Sequence, residues 1–73
     1  MEWISVNERF PEWPAGKNYI EVLCATDKGI VTAMTWAHYP DAKTERGRAP
    51  RWEWNWKVAP FVITHWMPLP KAP

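Results

Sequence analysis

One cysteine, one serine and three glycines are all that this chain carries of three chemically versatile residue types. The single thiol, Cys24, excludes an intrachain disulfide and a closed cysteine-rich zinc site. A lone thiol also suits a reducing compartment. Ser5 lies in WISVN, not in a G-x-S-x-G elbow. The glycines are scattered and build no phosphate-cradling loop. Charge of one sign is missing as well: a net +1 is not the basic excess of a dedicated polyanion binder. No apolar run reaches the length of a membrane span. The opening MEWISVNERFP has neither the basic start nor the apolar middle of a signal peptide, which predicts a cytoplasmic protein.

What the chain has instead is aromatic surface. Its 73 residues make a single domain, 1–73, and such a domain buries only roughly 60% of its unfolded surface. Small domains usually add crosslinks or metals. Here seven tryptophans, two phenylalanines and two tyrosines are the substitute, each able to bury about 150–250 Å². Eight prolines argue against long helices. The expected fold is mainly β: about five short, antiparallel strands in one strongly curled or open-barrel-like sheet, with at most one short helical turn.

Local patterns place the elements. EWISV reads as a short strand, and Ser5 with Glu8 has capping-box spacing, so VNERF is the candidate helical turn before Pro11. PEWPAGKN is a loop by composition. Residues 19–39 read as a β-hairpin turning at DKG, with Gly29 supplying positive φ. Ile20, Val22 and Cys24 share one face; Ile30, Thr32, Met34 and Trp36 share one face of the second arm. Residues 40–50 are a charged, exposed loop. RWEWNWK alternates, which predicts one strand with Trp52, Trp54 and Trp56 on the same face and an edge that could pair between two copies. FVITHWM is the last strand, and residues 68–73 are an extended, proline-rich tail.

Candidate sites follow from residue types. Trp52, Trp54 and Trp56 read first as core, because a strand in so small a domain must bury one face; their second reading is a partly exposed binding platform. Trp13, between Glu12 and Pro14, is the tryptophan expected outside. Arg46, Arg48 and Arg51 beside these rings could hold phosphate while an indole stacks on a base, so a nucleotide ligand is the alternative to a protein partner. Nucleic acid is disfavoured by the near-neutral charge. His38, His65 and Cys24 match no metal-ligand spacing, and no nucleophile–base pair is visible, so no metal, cofactor or catalytic residue is expected. Cys24, mid-strand on an apolar face, reads as a buried structural thiol. His65 reads as a hydrogen-bonded structural residue.

The two ends carry a resemblance. Trp3, Ile4, Ser5, Val6, Arg9 and Pro11 in EWISVNERFP, and Thr64 through Pro70 in THWMPLP, resemble the opening and closing blocks of a phage and prophage family known as domain of unknown function 551. The hairpin YIEVLCATDKGIVTAMTW is similar to that family's middle. Residues 40–60 are not covered, and the segment 46–57 looks particular to this member. Phe10 stands for the usual leucine, and Lys71 and Ala72 for an acidic residue and a proline. The resemblance implies a phage or prophage accessory protein with no catalytic residue to carry over, and hence a host bacterial protein as partner. Within it Trp3, His65, Trp66 and Pro68 have a structural part: a closing strand whose Trp66 packs on Trp3 or the hairpin.

Overall fold

The computed structural model describes residues 2–70; the last three positions of the proline-rich tail lie outside them. Its elements are β1 (Ile4–Ser5), β2 (Tyr19–Thr26), β3 (Val31–Ala37), α1 (Glu45–Arg48), β4 (Arg51–Trp54), β5 (Lys57–Val58) and β6 (Ile63–Pro68). The six strands form one open antiparallel sheet in the order β1-β6-β2-β3-β4-β5. The fold is therefore mainly β, with one short helix.

The hairpin at 19–39 forms as its alternation dictates. Val22 faces Met34, and Cys24 faces Thr32. Gly29 closes the turn at φ 80°, a value that glycine takes without steric cost. Buried Thr26 locks it: its hydroxyl accepts from the amides of Lys28 and Ile30, both at 3.2 Å. The last strand does more than close the chain. β6 lies between β1 and β2, with Trp66 opposite Ile4 on one side and Cys24 on the other. Thr64 is the extra residue of a bulge in the β2–β6 pair, where the register shifts between Ala25 and Thr26. Pro68 occupies the final position, beyond the end of β1, where a missing amide does least harm to the ladder.

One sheet face holds the core: Val22, Cys24, Met34, Ile63 and Trp66 are buried together, with Ile4, Ile20, Trp52, Trp54 and Phe61 packed against them. The segment before β2 folds back over this face. Phe10 stacks on Trp36 with centroids 4.5 Å apart and an interplanar angle of 3°. Trp52 meets Trp36 from the other side at 4.8 Å. Two indoles tie the segment down. Trp66 Nε1 donates to the carbonyl of Arg9 at 2.9 Å, and Trp13 Nε1 donates to that of Trp36 at 2.8 Å. Among the described residues no buried side-chain N or O atom lacks a partner.

Cys24 has no exposed surface, and burial pushes its thiol up to about 12. The thiolate is the reactive form. Alkylation by iodoacetamide at pH 8 should therefore be undetectable in the native protein and rapid in denaturant; fast native labelling would contradict this packing.

Three local expectations need correction. The only helix among the described residues is at 45–48, while VNERF makes an isolated turn. The Ser5 hydroxyl takes the Asn7 amide at 3.1 Å, and the amides of Glu8 and Arg9 close onto the Ser5 carbonyl, so VNERF makes one capped helical turn that does not continue into a helix. In the charged stretch, Thr44 caps α1 by accepting the Gly47 amide at 3.0 Å, so residues 40–50 are not wholly loop. A Cβ on Gly47 would come within 3.0 Å of Ala42 Cβ. Finally, RWEWNWK is not one strand. It turns back at Asn55–Trp56, so β4 is paired on both sides, the outermost strands are β1 and β5, and β4 reaches only residues 35–37 of β3.

Candidate functional site

The β4–β5 turn is the least economical piece of backbone in the described chain. Trp54 pairs with Lys57 across a two-residue loop. Asn55 has φ 53° and Trp56 φ 66°, the only non-glycine residues with positive φ among those described. A two-residue turn with both centres left-handed has the signature of type I′, which suits the twist of the flanking strands and prefers Asn-Gly. Asn55 fits. Trp56 does not: a bulky side chain there costs roughly 1–2 kcal/mol. Burial does not offset that cost, because Trp56 is 100% exposed.

Beside this tip lies an open concavity of about 910 Å³, lined mainly by residues that alternate away from the core and bounded by Thr32, Met34 and Trp54. Its relief comes from side-chain size. Ala33 and Thr35 run along β3. Tyr19 and Glu21 stand on β2, Glu53 on β4, Tyr39 just beyond β3, and Trp56 at the tip. Glu21, Thr35 and Glu53 are cross-strand neighbours in one row. On the far wall, the Tyr39 hydroxyl donates to the Glu53 carboxylate, 2.8 Å from both oxygens. Arg51 Nε donates to the same carboxylate at 3.2 Å, and its guanidinium carbon lies 4.6 Å from the Tyr39 ring centroid.

The bond to Glu53 holds the Tyr39 phenol above its ordinary value; partial burial and the Glu53 charge add to this, and Arg51 opposes it. A raised tyrosine value means that the pair's contribution to stability is complete below about pH 10 and is lost as pH rises through the Tyr39 value. Glu53→Gln should move the Tyr39 absorbance titration down towards that of a free tyrosine; an unchanged midpoint would dissolve the pair.

The proposed site residues separate in space. Trp56 is at the tip. Trp52 and Trp54 stay on the core face, half-buried, with Trp54 edge-on to Phe61 at 5.2 Å. The three rings of RWEWNWK thus do not share a face. Trp13, expected outside, is half-buried. It lies 3.9 Å from His38 and 6.2 Å from Trp36, centroid to centroid. Trp3 is exposed instead, and Trp66 packs into the hairpin side of the core rather than onto Trp3. Of the arginines, Arg51 is paired with Glu53, and Arg48 Nη1 donates to the Ala42 carbonyl at 2.8 Å. Arg46 is exposed on α1. His65 is exposed, with Nδ1 3.0 Å from the Thr64 hydroxyl. Among the described residues, no group of three or more His, Cys, Asp or Glu converges as metal ligands, and no helix is long and apolar enough to cross a membrane. The concavity and its residues Tyr19, Glu21, Thr35 and Tyr39 escaped the sequence reading. Their only signal is the alternation that sends them away from Val22 and Met34.

The family model described as "Protein of unknown function (DUF551)" matches residues 2–73. The chain belongs to this family. The match runs through residues 40–60, which the resemblance of the two ends leaves uncovered. No curated protein and no solved structure matches the chain. In this DUF551 protein the two end blocks meet directly, since β1 and β6 are neighbours. Thr64–Pro68 of the THWMPLP block thus lie in β6, an inner strand of the sheet.

Proposed function

We propose that this DUF551 protein is a non-enzymatic accessory module of phage or prophage origin that engages a host bacterial protein in the cytoplasm. The β4–β5 tip makes the first contact. One observation carries the reading: Trp56 is fully exposed in a left-handed conformation that glycine would adopt at lower cost. Strained, exposed residues cluster at binding sites, and tryptophan is enriched among residues that dominate interface affinity. The nucleotide alternative has weaker support, because Arg48 and Arg51 are engaged internally and the adjoining Trp52 and Trp54 lie on the core face.

The test is a comparative pulldown from bacterial lysate. Wild-type protein should retain a partner that Trp56→Gly loses. Identical partner sets for the two proteins would overturn the reading.

A further inference from the structure

The concavity beside Trp56 has two properties that point to one kind of occupant. The first is an open strand edge. β2 pairs with β3 from Tyr19–Ala37 to Ala25–Val31, but β4 covers only Thr35 to Ala37 on the other side. The chain turns at Asn55, so no described strand pairs with residues 31–34 along that edge. Unpaired backbone groups on a strand edge are a template for an added strand.

The second property is charge. The lining holds two carboxylates, Glu21 and Glu53, together with the aromatic residues Tyr19, Tyr39, Trp54 and Trp56, and no basic residue. Glu53 already has Arg51. Glu21 has no cationic partner within 4.0 Å among the described residues. The far wall shows which cation suits these groups: Arg51 lies over Tyr39 while bonding to Glu53. Guanidinium groups combine ring stacking with carboxylate pairing better than ammonium groups do. Small Ala33 and Thr35 leave room for a long side chain to cross β3 towards Glu21.

Resting on the reading of Trp56 as the point of contact, we propose that the partner presents an extended segment that pairs with β3 along residues 31–34 and places an arginine side chain against Glu21. Negative charge on this face disfavours a nucleic acid.

The probe is the peptide acetyl-Thr-Val-Arg-Val-Thr-amide, compared with its citrulline counterpart, which is isosteric but uncharged. By NMR titration the arginine peptide should bind saturably, with shifts at Glu21, Ala33 and Thr35, and about tenfold or more tighter than the citrulline peptide. Amides of residues 31–34 that face away from β2 should exchange more slowly in the complex. Glu21→Gln, a surface change, should erase the difference between the peptides. Equal affinities, no saturable binding, shifts confined to other surfaces, or preferential binding of a single-stranded oligonucleotide would each overturn the proposal. If the peptides fail while Trp56→Gly still loses its partner, the contact at the tip stands and the arginine segment falls. If the peptides bind but Trp56→Gly keeps the partner, the tip reading falls.

Discussion

Trp66→Ala should remove about half of the domain's stability, read as a large fall in the urea midpoint. Trp66 is buried against Val22, Cys24, Met34 and Ile63 on the strand that joins β1 to β2. Truncating a buried tryptophan costs about 3–5 kcal/mol. At about 0.05–0.15 kcal/mol per residue, a domain of this size has roughly 4–11 kcal/mol in total. The substitution also frees the Arg9 carbonyl, which accepts from Trp66 Nε1, and removes the ring beneath the Arg9 guanidinium at 5.7 Å. The segment carrying Phe10 and Trp13 would then lose one of its two indole anchors. Trp66→Phe separates the terms, because it keeps an aromatic ring and loses only the N–H donor and part of the area. Its expected cost is about 1–2 kcal/mol, read as a lowered urea midpoint with a cooperative transition. A near-native Trp66→Ala protein would show that aromatic burial is not what holds this sheet together.

Trp56→Gly should have the opposite effect on stability while removing function. Glycine relieves the left-handed strain at φ 66° and creates the Asn-Gly pair preferred in such turns. Its greater freedom in the unfolded chain offsets part of the gain. The net expectation is a stabilisation of about 0.5–1 kcal/mol, a rise in Tm of roughly 2–8 °C. No packing is lost, since the ring is fully exposed. Trp56→Ala retains the left-handed backbone and loses the ring, so it should bind as poorly as Trp56→Gly without becoming more stable. A stability gain paired with loss of the partner would mark Trp56 as a residue retained for binding at the expense of folding. A destabilised Trp56→Gly would mean that the indole supports the hairpin, and its exposure would need another explanation.

Much of the sheet was legible because strand alternation is a local signal. The apolar positions of 19–26 and 30–37, the glycine in DKG and the cluster THWM each state which side chains turn inward, and the hairpin and the burial of Cys24 follow. The resemblance of the two ends to a known family was legible in residues that prove to be strand neighbours. The helix at 45–48 was missed because the charged stretch 40–50 has no apolar periodicity, and four residues capped by Thr44 leave too short a pattern to read.

Alternation across RWEWNWK could not show where the chain reverses. A strand and a hairpin with a two-residue turn begin with the same pattern, and Asn55 without a following glycine is a faint turn signal. Nor could composition say that Trp13 turns inward, because its place depends on the carbonyl of Trp36 and the ring of His38, far along the chain. The amino-acid sequence by itself determined that this protein is a small β domain with aromatic packing and two inward-turned hairpin faces. Tertiary structure alone decided that β6 is threaded between β1 and β2, that Trp56 stands outside, and that Glu21 and Glu53 share a concavity. The physical reason is range: side-chain period and turn chemistry act over a few residues, whereas strand order and the exposure of a ring depend on partners brought together only when the chain folds.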